Sequence, residues 1–591
     1  MSETLASATL RSALERIAAA TGRPPGEVRQ EAEQDFAEMH CRRSPPAVWL
    51  FAALSRLIRQ RGYNREIVYD LDEVERLREE SRTRSIVYLV THKTYLDFFV
   101  LFDFLYRQDL PTPYIFGGIN MNFAGFGGLA RRAGGIFIRR SFKDDEVYKA
   151  VLQAYMESLI GRGASFMWAI EGTRSRTGKL LVPRLGLLNY VVRSTRNVGE
   201  ESVGYVPVSV VYDLIPDVID MAAQEAGSAK KPESLSWFFR YLKNLDGPFG
   251  NIHVRFGDAM ALSDTPDAPD LEPDGQPGGE QQIEIQKLAF EVCYRINEIT
   301  PATMTSLVLL VLLSRRRCDR DRIGEDVDAL GAYIRKTDRR VIMKKPSRVL
   351  AAGQRESIDA LVANGIIRPA GDEPTGLLEI NPGRYSEAIY YSNMAVHHFV
   401  VSAFVETALA CCDGPDAVWP ECRRLRNLLK FEFFFSRSPV FRQQVEQELE
   451  GIDPDWKRIL SAGNDSAVTL LREKPLLVAP GILKPFTHAY RLVAETIHRH
   501  DRGCDLPDEA LIGLCLEANR DEADRGVGGP PPPASRALLG NALRLADSLG
   551  LRSGDTPAIR ARRSSFLEEL ERTDQALTRL DELALSASKA R

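Results

Sequence analysis

A histidine and an aspartate with four residues between them are the side chains best suited to chemistry. His92 and Asp97 lie in the segment VTHKTYLD, directly after the apolar run IVYLV (86–90), which is typical of a buried β-strand. Residues five positions apart on a helix point about 140° away from each other, so the two side chains can meet only if His92 lies in a loop and Asp97 in the first turn of a helix. A carboxylate bound to Nδ1–H would then leave Nε2 to accept a proton. The spacing predicts a general base, although such a pair also occurs as a purely structural contact.

Basic residues are concentrated in a later segment. Residues 131–184 contain eleven lysines and arginines against five acidic residues, in a chain whose net charge is −4. Arg139 and Arg140 end the β-like run GGIFIRR, and Glu171–Arg176 follows the run ASFMWAI. Parallel strands end at the same edge of a sheet, so both groups would lie near His92. Guanidinium groups bind phosphate oxygens bidentately, which predicts a phosphorylated substrate; a solvated arginine-rich surface is the alternative.

Other kinds of site are excluded by their spacing. The segment Gly172–Lys179 resembles a nucleotide-binding loop, but Leu180 stands where such loops carry the Ser or Thr that binds magnesium. No G-x-G-x-x-G follows a strand, and the eight histidines and eight cysteines form neither H-E-x-x-H nor C-x-x-C. We therefore predict no metal site and no dinucleotide redox chemistry. Because 77 basic residues are balanced by 81 acidic ones, we also predict no nucleic-acid partner.

The elements that must position these residues fall into three predicted regions, since 591 residues are too many for one core. Residues 1–75 are predicted to be helical, residues 76–300 to form an α/β domain with a mostly parallel sheet flanked by helices, and residues 301–591 to form a mainly α-helical domain. The predicted strands are 86–90, 134–140, 164–170, 203–212 and 252–257, and the clearest helices between them are 145–160 and 185–194. Exposed linkers are predicted at Ser263–Gln282 and Asp524–Ser535.

A membrane could be contacted without being crossed. The longest unbroken apolar run, Leu307–Leu313, is far shorter than the ~18 residues of a spanning helix. Within residues 47–63, apolar side chains recur at helical spacing and basic ones accompany them, namely Trp49, Leu50, Phe51, Leu54, Leu57, Ile58, Arg56, Arg59 and Arg61. This helix either lies in a membrane interface, with its arginines at anionic headgroups, or packs on the protein's own core. The basic stretch 335–348 could likewise meet anionic lipid or form a solvated loop. The sparse cysteines and the lack of an apolar leader predict a reducing, cytoplasmic location.

Four segments, taken in order, resemble the four blocks of the glycerolipid acyltransferases. They are THKTYLD, GGIFIRRSF, EGTRSRTGKL and VPVSVVYD, all within residues 91–213. The segments ITPATMTSLVLLVLL, IYYSNMAVHHF and ILKPFTHAYRLVAE are similar to the helical C-terminal region of the long, bacterial-type glycerol-3-phosphate acyltransferases. In the first block, Lys93 and Thr94 depart from the usual H-R-S-Y-x-D pattern but keep a positive charge and a hydroxyl. The resemblance implies an α/β acyltransferase core over residues 76–300.

The resemblance also implies a role for each matching residue. His92 and Asp97 would be the catalytic pair, and backbone N–H groups near the His92 loop would stabilise the tetrahedral oxyanion. The site for the phosphate and the acceptor would be formed by Lys93, Arg139, Arg140, Glu171, Gly172, Arg174, Ser175 and Arg176. Tyr95 and Pro207 would shape the acyl or acceptor pocket. Glu171, a carboxylate among arginines, would organise their side chains without touching the substrate.

The implied reaction moves a fatty acyl group from acyl-CoA or acyl-carrier protein to the sn-1 hydroxyl of glycerol 3-phosphate. The product would be lysophosphatidic acid, and no cofactor other than the acyl donor is expected. Because the product and the acyl chain need a lipid surface, we expect peripheral attachment to the cytoplasmic side of the inner membrane. The alternatives are an acyltransferase for dihydroxyacetone phosphate or a lysophospholipid, and a non-catalytic lipid-binding scaffold.

Overall fold

The computed structural model describes residues 2–590 except 119–125, 140, 143, 228–239, 244, 246, 265–279, 338–347, 372–375, 464, 500–505, 526–531 and 553. Much of the two predicted linkers, most of the basic stretch 335–348 and Arg140 lie outside the described residues. The chain forms two units. The first comprises Met1–Arg174, Pro183–Tyr212 and Lys231–Thr300, and the second comprises Ser175–Val182, Asp213–Lys230 and Pro301–Arg591.

A six-stranded sheet forms the centre of the first unit. Its strands are β1 (Ser85–Val90), β2 (Tyr114–Gly118), β3 (Gly135–Ile138), β4 (Phe166–Ala169), β5 (Val203–Tyr212) and β6 (Ile252–Phe256). They lie in the order β3-β2-β4-β1-β5-β6, and every pair is parallel except β5 with β6. The predicted mostly parallel sheet is thereby confirmed. β2 is not among the strands predicted from the sequence, because YIFGG is short and ends in two glycines.

The register of the sheet decides which loops meet. Val90, the last residue of β1, is level with Ala169 of β4 and with Val208 of β5. β1, β4 and β5 are buried along their whole lengths, as their Val-, Tyr- and Phe-rich sequences require of strands covered on both faces. The residues that follow β1 and β4 therefore emerge side by side at the same edge of the sheet.

Ten helices of the first unit are described. They are Ser2–Leu5, Ala8–Thr21, Pro25–Met39, Pro45–Gln60, Leu71–Glu80, Asp97–Arg107, Phe126–Ala133, Glu146–Ile160, Leu185–Val198 and Glu280–Ile299. The predicted N-terminal helical segment and the helices predicted at 145–160 and 185–194 are confirmed in this set, with the last helix continuing to Val198.

The helix Pro45–Gln60 has one face that is buried against the protein and one that is exposed. The ring of Phe51 packs on Phe99 and Phe102 of the Asp97–Arg107 helix, at centroid distances of 5.7 and 4.9 Å. Arg59 is fully buried and lies 3.2 Å from the carboxylate of Asp103, which compensates the buried charge. For this residue the alternative of packing on the protein's own core is therefore confirmed, and the alternative of a position at lipid headgroups is wrong.

The second unit is mainly helical, as predicted. Its helices are Val218–Glu225, Met304–Arg315, Arg320–Thr337, Arg348–Ala363, Tyr385–Asn393, Val400–Cys411, Pro415–Leu428, Ser438–Ile452, Trp456–Leu460, Asp465–Glu473, Ala479–Arg499, Asp508–Arg525, Arg536–Ser548 and Pro557–Ala590. A small antiparallel sheet of β7 (Arg317–Cys318), β8 (Ile367–Pro369) and β9 (Leu378–Ile380) accompanies them. The helix Met304–Arg315 is buried from Thr305 onward, which explains its uniformly apolar sequence.

In the part of the chain that the structure describes, no single helix is both long and apolar enough to cross a membrane. The helices Gln282–Ile299 and Met304–Arg315 meet the length and composition requirement only when they are counted together across a bend.

Candidate active site

His92 and Asp97 are brought together where β1 passes into a helix. His92 lies in the loop two residues after the end of β1, and Asp97 is the first residue of the Asp97–Arg107 helix. Nδ1 of His92 is 2.9 Å from Oδ2 of Asp97. The side chain of His92 is 16% exposed, whereas that of Asp97 is fully buried. This is the loop-and-helix arrangement that the four-residue spacing required.

Asp97 accepts hydrogen bonds from several groups of this loop. Its Oδ2 also accepts the backbone N–H groups of Lys93 and Thr94, at 2.7 and 3.0 Å, and its Oδ1 accepts the hydroxyl of Tyr212 at 2.7 Å. Because an ionised carboxylate only accepts hydrogen bonds, Nδ1 of His92 must carry the proton. Nε2 is then the acceptor nitrogen, and a neutral imidazole in this tautomer can act as a base.

Glu171 supports the same loop from the neighbouring strand. It follows β4 after one residue, is buried, and accepts the backbone N–H of His92 on Oε1 at 2.8 Å. The parallel pairing of β1 with β4 places it there. This bond to the backbone of His92 was not anticipated from the sequence, and the organisation of arginines by Glu171 stays a prediction. The backbone N–H groups of His92, Lys93 and Thr94 all donate to carboxylates, so the predicted oxyanion donors would be other backbone N–H groups near this loop.

Gly172 allows the chain to turn directly after Glu171. Its φ is +65°, and a Cβ at this position would lie 2.7 Å from Cγ of Arg184. Both the conformation and the close approach require glycine. The turn leads to Arg174, whose Nη2 donates to the hydroxyl of Tyr95 at 2.8 Å and whose guanidinium carbon lies 3.7 Å from the centre of the Tyr95 ring.

Tyr95 thus connects Arg174 to the loop that carries His92. Its ring also lies 5.7 Å from that of Tyr241, and the hydroxyl of Tyr241 is 2.9 Å from Oγ1 of Thr94. The guanidinium carbon over the ring is a cation–π contact, so Arg174 is held against Tyr95 both by its charge and by the hydrogen bond of Nη2. Among Arg139, Arg174 and Arg176, the described arginines that were predicted to bind phosphate, Arg174 contacts the loop that carries His92.

Arg139 is in a different environment. Although it follows β3 directly, its Nε, Nη1 and Nη2 bind three carboxylates, those of Asp35, Glu38 and Asp145, at 2.7–3.0 Å. Its guanidinium also lies over the ring of Tyr148. These carboxylates raise the pKa of Arg139 above its usual value. β2 and β4 separate β3 from β1, a distance of roughly 14 Å at the usual strand spacing, so the structure does not bring Arg139 to His92.

The remaining predicted site residues have diverse positions. Ser175 and Arg176 belong to the second unit, where Oγ of Ser175 donates to the carbonyl of Lys179 at 2.6 Å and Arg176 lies 3.5 Å from Glu225. The side chain of Lys93 is buried. Pro207 lies within β5, level with Leu89 of β1, in a strand buried along its whole length.

Sequence reasoning missed Tyr212 as a partner of the candidate dyad. It is the last residue of β5 and fully buried, and it belongs to the block VPVSVVYD, from which only the proline had been selected. The available signal was a tyrosine at the end of an otherwise apolar buried strand, since a buried hydroxyl usually finds a hydrogen-bond partner.

Comparisons with known proteins give the family of this chain. A family model described as the glycerol-3-phosphate acyltransferase C-terminal region matches residues 221–555, and an acyltransferase model matches residues 68–211. A Mycobacterium tuberculosis (strain H37Rv) protein named "Putative acyltransferase plsB1" is 30% identical over 582 residues, which are 97% of this chain and 92% of that protein. The glycerol-3-phosphate acyltransferase of Pseudomonas aeruginosa (strain LESB58) is 30% identical over 485 residues, 78% of this chain and 56% of that protein.

One solved structure, the 1-acyl-sn-glycerophosphate (LPA) acyltransferase PlsC from Thermotoga maritima, shares 16% identity. The match covers 42% of this chain and 76% of that one at a TM-score of 0.25, which is too low to bear on the fold or the site. The family model, in contrast, spans more than half of the chain, and the mycobacterial relative aligns along nearly all of it. This acyltransferase therefore belongs to the glycerol-3-phosphate acyltransferase family.

Proposed function

We propose that the protein transfers a fatty acyl group from acyl-CoA or acyl-carrier protein to the sn-1 hydroxyl of glycerol 3-phosphate, giving lysophosphatidic acid. The observation that supports this reaction most directly is the bond between Nδ1 of His92 and Asp97, which leaves Nε2 as a base at a partly exposed position. The family supplies the substrate class, and the dyad supplies a chemical means of transfer. We propose no cofactor beyond the acyl donor.

In the proposed mechanism His92 acts as a general base and then as a general acid. Nε2 removes the proton of the acceptor hydroxyl while its oxygen attacks the thioester carbonyl. The tetrahedral intermediate collapses, the carbon–sulfur bond breaks, and the histidinium returns the proton to the departing thiolate. Asp97 keeps the ring oriented throughout and stabilises the transient positive charge. The products are the ester and the free thiol, and no acyl-enzyme is formed.

The phosphate of the acceptor is proposed to bind at Arg174. This guanidinium is stacked on Tyr95, three residues after His92, so a phosphate held there would lie beside the base. Binding the phosphate fixes the position of the hydroxyl, an effect that can exceed that of proton transfer itself. Arg139 has less structural support as a phosphate ligand, because each of its nitrogens already binds a carboxylate.

The experiment is a comparison of acceptors with the purified full chain. Acyl transfer from palmitoyl-CoA and from palmitoyl-acyl-carrier protein is measured with glycerol 3-phosphate, dihydroxyacetone phosphate and lysophosphatidic acid, in detergent and with liposomes. We expect the highest kcat/KM with glycerol 3-phosphate and its loss in His92→Ala. Preference for another acceptor would replace the proposed substrate, and no transfer from either donor would favour the scaffold alternative.

We also propose that the protein binds a membrane surface through the outer face of the Pro45–Gln60 helix. Trp49, Leu50 and Leu57 on this face are 59%, 47% and 63% exposed. Arg56 and Arg61 are exposed beside them. A tryptophan and two leucines flanked by arginines match the acyl boundary and the anionic headgroups of a lipid surface.

Flotation with liposomes tests the membrane proposal. Wild type should bind vesicles that contain anionic lipid, less strongly at high salt, and the double variant Trp49→Ser/Leu57→Ser should bind at least about tenfold more weakly. Val440→Ser, which alters an exposed apolar residue in the second unit, is the matched control. Equal flotation of wild type and the double variant would contradict the proposed surface.

A further inference from the structure

Tyr212 contacts the candidate dyad from the side opposite to His92. It closes β5, is fully buried, and donates its hydroxyl to Oδ1 of Asp97 at 2.7 Å. We propose that Tyr212 is a positioning residue for acyl transfer: its hydroxyl fixes the carboxylate so that Oδ2 faces Nδ1–H of His92. The inference rests on the proposed function, because Tyr212 acts only through Asp97 and His92.

The two oxygens of Asp97 carry unequal hydrogen-bond loads. Oδ2 accepts the ring Nδ1–H of His92 and the backbone N–H groups of Lys93 and Thr94. Oδ1 accepts the hydroxyl of Tyr212. A buried carboxylate oxygen without a donor is costly, and a carboxylate held at one oxygen alone can rotate about its terminal bond. The Tyr212 hydroxyl removes both problems, because it satisfies Oδ1 and prevents the rotation that would move Oδ2 away from the imidazole.

The hydroxyl of Tyr212 is suited to act as a donor at every physiological pH. Burial and the negative charge of Asp97 raise the pKa of Tyr212 well above its ordinary value, so the proton remains on the phenol. The ring is also held in place, since it lies in the strand and packs on Tyr63 at a centroid distance of 5.4 Å. A rigid neutral donor beside a charged acceptor forms one of the stronger classes of protein hydrogen bond.

A second buried tyrosine shows that burial alone does not produce such a contact. Tyr88 lies on β1, the strand next to β5, and is fully buried as well, yet its hydroxyl has no hydrogen-bond partner among the described residues. Removing the hydroxyl from Tyr88 takes away the same atom from an equally buried ring without touching Asp97. Tyr88→Phe is therefore the matched control for Tyr212→Phe.

Several titratable groups surround the carboxylate and enter the pH dependence of the reaction. His92 and Lys93 lie on the loop, Glu171 reaches the loop from β4, and Tyr63 and Tyr241 lie near the phenol. The two variants leave all of these groups unchanged. Without the hydroxyl of Tyr212, the carboxylate of Asp97 keeps more of its negative charge and stabilises the protonated form of His92 more strongly. The acid limb of the rate profile should accordingly move to higher pH.

The experiment compares the full chain with Tyr212→Phe, Tyr88→Phe and His92→Ala by measuring kcat and KM for glycerol 3-phosphate between pH 5 and 9. We expect Tyr212→Phe to lower kcat by about tenfold, leave KM within a factor of about two, and move the acid limb upward by about one pH unit. Tyr88→Phe should retain the wild-type profile. In an Asp97→Asn background, Tyr212→Phe should have no further effect on kcat, because its route to His92 is already removed.

Each other outcome overturns the inference. A wild-type profile in Tyr212→Phe while His92→Ala is inactive would refute the role of Tyr212 alone and leave the proposed function intact. Substantial activity in His92→Ala would refute the proposed mechanism and this inference with it. An equal shift in Tyr88→Phe, or failure of Tyr212→Phe to fold in thermal unfolding, would assign the hydroxyl to general stability.

Discussion

Two regions at the strand ends of the same sheet contain several carboxylates, which have opposite effects on the basic side chain at their centre. After β1 and β4, Asp97 and Glu171 bind the imidazole and the backbone of the His92 loop and leave Nε2 as an acceptor. After β3, three carboxylates bind every nitrogen of Arg139. We refer to these two regions as the His92 loop and the Arg139 cluster.

The comparison separates a reactive group from an anchor. In the proposed mechanism the carboxylates of the His92 loop orient the imidazole, and its Nε2 acts on the substrate. In the Arg139 cluster each nitrogen of the guanidinium binds a carboxylate. Since Asp35 and Glu38 lie on the Pro25–Met39 helix, Arg139 connects that helix to the sheet. A position at the end of a strand is thus insufficient to identify a ligand-binding arginine. Whether such an arginine can bind a ligand depends on the groups that its guanidinium already contacts.

The sharpest test of the His92 loop is removal of its base. His92→Ala should lower kcat by about 10²–10⁴-fold, because the hydroxyl loses its proton acceptor. The midpoint of thermal unfolding should change little, since the side chain is partly exposed in a loop. His498→Ala, at an exposed site on the Ala479–Arg499 helix, is the control. Activity above about a tenth of wild type would remove His92 from the mechanism.

Arg174→Ala should raise the KM for glycerol 3-phosphate by about 10–100-fold, the cost of one lost charge-assisted contact to phosphate. Its kcat should change less. Steady-state kinetics with varied acceptor measure the effect, and Tyr95→Phe, which retains the ring under the guanidinium but not the hydroxyl, should have a smaller one. An unchanged KM in Arg174→Ala would place the phosphate elsewhere.

The corresponding change in the Arg139 cluster should affect stability instead. Arg139→Ala leaves the buried carboxylate of Asp35 without its partner and should lower the free energy of unfolding by about 2 kcal/mol, with KM for glycerol 3-phosphate within about threefold of wild type. Denaturant titration and kinetics measure the two effects, with Arg139→Lys as the variant that keeps the charge. A large increase in KM at unchanged stability would reverse the comparison and return Arg139 to the substrate site.

The smallest expected effect concerns the pH dependence of the Arg139 cluster. Burial raises the pKa of Asp35 despite the attraction of Arg139. Its protonated form therefore favours folding, and this contribution is lost as the pH rises through the raised pKa. An asparagine at position 35 does not titrate, so the Asp35→Asn variant does not lose this contribution as the pH rises. The free energy of unfolding of the variant should therefore increase relative to that of wild type from about pH 4 upward and then become constant. A difference independent of pH in urea titrations would show that Asp35 does not titrate in this way.

The mostly parallel sheet and the meeting of His92 with Asp97 could be predicted because their causes are local. An apolar run ends, a loop of a few residues follows, and a helix begins at the carboxylate. The proximity of Glu171 to His92 followed from one further assumption, that β1 and β4 are parallel neighbours. The acyltransferase family could be predicted in the same way, from four short segments in a fixed order.

The partners that charged side chains find far away in the chain could not be predicted. Arg139 is bound by Asp35 and Glu38, about a hundred residues earlier in the chain, and Arg59 by Asp103 on another helix. No spacing or periodicity connects such pairs, because they arise only when separate helices pack on one sheet.

The sequence by itself therefore determined the elements, the order of the strand-end loops and the types of group that they carry. Only the tertiary structure decided that Oδ1 of Asp97 accepts the Tyr212 hydroxyl and that Glu171 accepts the backbone N–H of His92. It also decided that each nitrogen of Arg139 binds a carboxylate. The physical reason is that secondary structure follows from contacts between near neighbours in the chain, whereas the charge and hydrogen bonding around a buried group are set by residues that folding brings from distant positions.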